Sequence, residues 1–219
     1  MGSDLKTDLQ MRGCAVCNHV EEAIFAHFSQ LQYNVAHNED IRRSVADGGG
    51  FCRFHTWQLA AFSSARGLAK GLPPLLSRIA DELLRMADHA PDEGIERTIP
   101  GERIVDCRIC ELLCQEETVY VKRLIAFLHR EKGLSIYGAS QGVCLWHLGL
   151  LVKSASPETE RFLLIHAANR FREMEIHLKT YDEKLESGNR GDCSPAEKNA
   201  GYDALIHLAG SKYLSFPMK

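Results

Sequence analysis

Apolar side chains recur three or four residues apart along most of this chain, the spacing that one face of an α-helix demands. In NHVEEAIFAHFSQLQYNV the series is Val20, Ile24, Phe28 and Leu31; in ELLCQEETVYVKRLIAFLHR it is Leu113, Tyr120, Leu124, Ile125 and Leu128. TWQLAAFSSARGLA continues a helix after His55, with Gly67 its weak point or end. LPPLLSRIADELLRMADHA follows, its paired prolines suited to a helix start. LWHLGLLVKSA gives way near Ser156 and Pro157, a good N-cap and first position, to a longer helix. Along that helix Leu164, Phe171, Leu178 and Leu185 are seven apart, and Ala167, Met174 and Tyr181 form a second such series. The spacing suits a bundle helix packed on its neighbours, with an intermolecular coiled coil as the alternative. Ser194, Pro195 and Glu197 form a capping-box opening for a last helix, which Gly210 stops. Strand patterns are nearly absent. The fold expected is all-α.

The helical pattern is written twice. Cys14 and Cys107 are 93 residues apart, as are Cys17 and Cys110, while Cys52 and Cys144 are 92 apart, as are His55 and His147. Four matched positions at nearly constant offset argue for an internal duplication. Each unit reads C-x-x-C, a spacer of about 34 residues by subtraction of positions, then G-x-C-x-x-H. The organisation expected is a helical bundle of two multi-helix repeats and a C-terminal element. The first repeat occupies 1–90; a Gly-, Pro- and charge-rich linker, 91–106; the second repeat, 107–187; and a loop and helix packed on the bundle, 188–219.

Composition narrows the setting. The 219 residues suffice for one medium domain or two small ones with a proper core. A net charge of −3 gives no reason to expect a nucleic-acid surface or an anionic membrane. No apolar run approaches the roughly 18–20 residues that span a bilayer, and the polar opening MGSDLKTDLQMRG lacks a signal-peptide core. The expected location is the cytoplasm. There, eight cysteines are better read as metal ligands or redox groups than as a disulfide frame.

Six of the eight fall in the repeated motifs, with a histidine in each copy: Cys14, Cys17, Cys52 and His55, then Cys107, Cys110, Cys144 and His147. A spacing of three puts both members of each pair on one helix face. A helix of some 15 residues runs outward about 20 Å, and the rest of the spacer can bring the chain back. Each copy can therefore close its own Cys3His site; pairing across the copies is the other geometric option. Thioredoxin-type chemistry lacks its βαβ setting here, and Asn18 and Glu111 after the dithiols exclude a C-x-x-C-H haem motif. Zinc suits a closed Cys3His site and is favoured, two ions per chain, with [4Fe-4S] clusters as the alternative. Cys114, four residues after Cys110, is a fifth candidate ligand or a core cysteine, and Cys193 is incidental. His19, His27, His129, His166 and His177 are read as surface or half-buried helix residues, and Trp57 and Trp146 as packing around the sites.

GCAVCNHVEEAIF, GGGFCRFHTWQL, DCRICELL and QGVCLWHL, with the late segment YDALIHLAG, resemble a bacterial family of uncharacterised α-helical proteins with repeated C-x-x-C and G-x-C-x-x-H motifs. The resemblance covers almost the whole chain and implies architecture and metal ligation only. Two function classes follow from the residues. One is a bundle stapled by two structural zinc sites whose surface recruits another protein; the other is an electron carrier or redox sensor. No Ser-His-Asp series, phosphate-binding glycine loop or H-E-x-x-H motif points to an enzyme. Another protein is the expected partner, a homo-oligomer stays open, and neither nucleic acid nor membrane is expected.

Overall fold

A residue with an extended backbone opens most of the helices here: Asp4, Asn38, Cys52, Ser64, Arg130, Cys144, Ser156 and Ser194 each stand just before one. The computed structural model, which describes residues 4–88 and 107–214, has eleven α-helices and no strand among the described residues. They are α1 (Leu5–Gln10), α2 (Ala15–His37), α3 (Glu39–Asp47), α4 (Arg53–Phe62), α5 (Ala65–Gly71), α6 (Pro73–Asp88), α7 (Arg108–Leu128), α8 (Glu131–Gly138), α9 (Leu145–Ser154), α10 (Pro157–Glu186) and α11 (Pro195–Ala209). The fold is all-α, as the periodicity predicts. The linker expected over 91–106 lies outside the described residues.

The starts read from sequence have clear physical causes. Ser156 accepts from the Thr159 N–H ahead of Pro157. Ser194 accepts from the Glu197 N–H while the Glu197 carboxylate accepts from the Ser194 N–H, so the capping box is complete. Pro73 and Pro74 sit in the first turn of α6, where a missing N–H costs nothing. Asn38, unnoticed in the sequence, caps α3 by accepting from Asp40 and Ile41. The helices α1, α3 and α8, of six to nine residues, are too short for a periodic signal to stand out. Gly67, expected as a break, lies inside α5; the break comes at Ser63 and Ser64, and Ser64 caps the new helix.

The described residues form two units whose limits do not follow the sequence repeats. One contains 4–21 and 116–214, the other 22–88 and 107–115, so both limits fall inside α2 and α7. In the first unit α10 packs on α11 and α9, and α11 also on α9. Its fully buried side chains include Tyr120, Leu124, Leu128, Tyr137, Leu151 and Leu163. The seven-residue series on α10 is only partly interior: Met174 is buried, whereas Leu164 and Leu178 stay 46% and 38% exposed. Packing within the bundle uses the neighbouring Leu163 instead.

In the second unit α3 and α5 pack on α6. Its aromatic centre is Phe28, fully buried, with ring centroids 6.2 Å from Phe51 and 5.7 Å from Phe62. Phe51 immediately precedes Cys52, so this cluster fixes the start of α4. Replacing Phe28 with Ala should cost about 3–5 kcal/mol of stability through lost burial and the cavity left behind. Denaturant unfolding measures this; a loss below about 1 kcal/mol would show that the cluster does not set the packing.

Candidate metal centres

All four pairs, two Cys–Cys and two Cys–His, occupy the same place on a helix. Cys14, Cys52, Cys107 and Cys144 each lie just before the first residue of α2, α4, α7 and α9. Their carbonyls accept the first intrahelical hydrogen bonds, from Asn18, Thr56, Glu111 and Leu148, at 2.8–3.1 Å. They are N-cap residues, and Cys17, His55, Cys110 and His147 are the third residues of the same helices. An N-cap and a third residue ordinarily cap each other, yet neither Cys52 nor Cys144 makes a side-chain cap bond. Their sulfurs are turned to other use. Gly50 and Gly142, the glycine of each G-x-C-x-x-H motif, have φ of 82° and 79°, a backbone that side chains disfavour. That turn sets up the N-cap that follows.

The structure gathers the eight side chains into two groups able to hold a metal ion. Each group takes one pair from each repeat. Cys14 and Cys17 meet Cys144 and His147, while Cys52 and His55 meet Cys107 and Cys110. Of the two pairings open to the sequence, one within each repeat and one across them, the structure has the second. The spacing of three fixes which residues travel together, but the path of the long helices decides which pairs meet. Each group lies wholly within one of the two units. Cys114 and Cys193 belong to neither group.

Within a group the donors face one another closely. His147 Nδ1 is 3.1 Å from Cys144 Sγ, 3.3 Å from Cys14 Sγ and 3.5 Å from Cys17 Sγ, and the Cys17 and Cys144 sulfurs are 3.9 Å apart. His55 Nδ1 is 3.2 Å from Cys52, 3.3 Å from Cys110 and 3.4 Å from Cys107, with Cys52 and Cys110 3.7 Å apart. Donors that share one zinc ion at about 2.3 Å stand about 3.8 Å apart at the corners of a tetrahedron. The observed spacing fits a single ion. Two helix N-termini converge on each group, and their dipoles favour thiolates.

Outer contacts distinguish the centres. At the first, Glu117 Oε1 accepts from His147 Nε2 at 3.1 Å and from the Trp146 indole N–H at 2.7 Å. The carboxylate thereby leaves Nδ1 as the nitrogen free to face the sulfurs and to take a ligand's role there. Trp146 therefore does more than pack, and Trp57, 78% exposed, does not pack around a site at all. The Gln141 side chain accepts from the Gly13 N–H at 2.7 Å, and its carbonyl accepts from buried His207 at 2.9 Å. Gly210, the stop of α11, passes so near the sulfurs that a Cβ there would lie 3.4 Å from Cys17 Sγ and 3.6 Å from Cys144 Sγ. Its φ of 79° adds a second reason for glycine. At the second centre His55 is fully buried, yet its Nε2 has no hydrogen-bond partner among the described residues.

Taken by themselves the groups are strongly polarised. Hydrogen bonds from Cys14 and Cys17 outweigh burial and, with His147, hold the Cys144 thiol far below its ordinary range. Burial favours neutral His147, but hydrogen bonds to Cys144, Cys17 and Glu117 prevail and push it up to about 11. Burial pushes Cys14 well up, aided by its contacts with Cys144 and Cys17. For Cys107, burial is outweighed by the His55 hydrogen bond and by backbone bonds at Cys52 and Cys110, which lower it to about 6. Burial and the charge on Cys107 push Cys110 up. The second unit also contains a cavity of about 610 Å³ lined by both Cys52 and Cys107 and by apolar residues such as Leu31, Leu59, Leu72 and Leu75.

Among the remaining histidines, His19 contacts Glu116 at 3.1 Å, His166 lies against Tyr137, and His129 falls just past the end of α7. Among the described residues no helix is long and apolar enough to cross a membrane. A family model described as "Family of unknown function (DUF6062)" matches residues 10–186. That span contains all eight donors and ends before α11 and YDALIHLAG. No curated protein and no solved structure matches the chain.

The polarised thiols are open to direct measurement. In protein stripped of metal and kept reduced, thiolate absorbance should already be present at neutral pH, with a step near pH 6 that Cys107→Ser removes. An ordinary thiol, with a pKa of about 8.5, is largely protonated there. Thiolate appearing only above about pH 8 would contradict the geometry described.

Proposed function

The chain belongs to the DUF6062 family, and from its two centres we propose that it is a metal-binding helical protein whose Cys3His sites hold one zinc ion each as structural staples. The observation that carries this reading is the tight grouping of four protein donors, all within 4.8 Å of one another, at each centre. A [4Fe-4S] cluster gives each thiolate its own iron and interposes a cluster body, which asks for more widely separated ligands. Zinc prefers tetrahedral S and N donors, and sites with all four positions taken by protein are typically structural. The ion would supply the positive charge that three buried thiols need to ionise together, and would add on the order of 10 kcal/mol per site to folding. The protein's own residues bring the rest: helix starts position the sulfurs, and Glu117 orients His147.

The closed donor sets argue for a scaffold rather than a catalyst, since a catalytic zinc keeps one position for water or substrate. A protein partner accords with exposed apolar side chains on the first unit, notably Ile165 and Ile176 on α10 and Leu205 and Leu208 on α11. Elemental analysis of anaerobically purified protein tests the metal. About two zinc per chain in a colourless sample is expected, with Cys52→Ala and Cys144→Ala each removing one equivalent and lowering the thermal midpoint. A brown sample containing iron, or metal content unchanged in both variants, would overturn the reading.

A further inference from the structure

The repeat makes the two centres directly comparable, and their outer contacts do not match. Glu117, which receives the His147 Nε2–H, stands 93 residues after Ile24. Trp146, which donates to the same carboxylate, stands 92 residues after Phe54. The second centre therefore has two apolar side chains in the register where the first has a carboxylate and an indole donor. Both changes run the same way. Phe54 instead sets its ring edge-on to His55, 5.3 Å between centroids, and His55 Nε2 is left buried without an acceptor among the described residues.

Cover differs as well. Cys14, Cys17, Cys144 and His147 are all buried, and Gly210 of α11 passes against the Cys17 and Cys144 sulfurs. At the other centre Cys52 and Cys110 are only half-buried, and Cys52 and Cys107 open on the cavity of about 610 Å³. A histidine that donates its second N–H to a carboxylate is a more basic and better-oriented ligand, and losing that partner typically weakens metal binding about 10–100-fold. Accessible sulfurs add a route by which a competing chelator or a proton reaches the ligands.

We propose that the two centres are unequal in duty: Cys14, Cys17, Cys144 and His147 keep their ion, whereas Cys52, His55, Cys107 and Cys110 form an exchangeable centre that releases and regains its own. This inference rests on the metal reading above. The test follows zinc leaving the fully loaded, full-length chain into an excess of a chromogenic chelator, with native mass spectrometry counting the ions that remain. One equivalent should leave at least about ten times faster than the other. The fast equivalent should be absent from Cys52→Ser and present in Cys14→Ser.

Exchange of the outer contacts then separates cause from mere exposure. Glu117→Ile should speed the slow equivalent about 10–100-fold, and Ile24→Glu with Phe54→Trp should slow the fast one by a similar factor. If the buried carboxylate prevents that double variant from folding, Glu117→Ile and the two cysteine variants still decide. Two equivalents leaving in a single phase, or a fast equivalent that survives Cys52→Ser and vanishes in Cys14→Ser, would overturn the inequality while leaving metal binding intact. A chain that takes up no zinc under any loading condition would instead overturn the metal reading itself.

Discussion

Three thiols and an imidazole nitrogen held within 4.8 Å of one another cannot simply be buried; something must hold their protons or replace them. That constraint governs this protein. Each group is assembled from the first turns of two helices, whose unpaired N–H groups and dipoles face the sulfurs. The N-cap and third positions, which in a capping box satisfy the helix's own backbone, are occupied here by side chains grouped closely enough to hold one ion. The cost to each helix start is offset by the partner helix start across the group. Removing one pair strands the other. The two centres are therefore joint properties of helix pairs, and no single helix carries one.

Pairing across the repeats sets how strongly each centre can constrain the chain. The first links residues 127–133 apart in sequence, the second residues up to 58 apart. Closing the longer loop restricts the unfolded chain more, by roughly 0.7 kcal/mol on loop-closure entropy. The same centre has the better-buried donors and the carboxylate behind its histidine. Burial and outer contacts thus both favour the first centre as the permanent one, while topology makes it the stronger constraint on the unfolded chain. The accessory helix α11 belongs to this pattern: its capping box sets its start, its glycine stop lies against the sulfurs, and it falls outside the family match.

The helices with long periodic faces were legible in the sequence, because Val20, Ile24 and Phe28, or Leu113, Tyr120 and Leu124, can be buried together only on a helix. The eight side chains that the structure gathers into two groups were legible as candidates, since the repeated spacing marks them independently of any structure. Which pairs meet was not: spacing of three is a local constraint, and both groupings satisfy it. Glu117 escaped notice although it lies seven residues after Cys110, on the same helical face. Its signal is the mismatch with Ile24, visible only when the repeats are compared residue by residue. Trp57 misled, because an aromatic two residues after a ligand points away from it on a helix. Gln141 and Gly210 act through backbone approach, which no periodicity encodes.

Pairing across the repeats is the claim on which the rest turns, and metal counting in two double variants tests it most directly. Cys14→Ser with Cys144→Ser damages one centre under this account, so that chain should retain one zinc equivalent. Cys14→Ser with Cys52→Ser damages both centres and should retain none. The opposite result, one equivalent kept by the second variant and none by the first, would mean that each repeat closes its own site, contrary to the structure described.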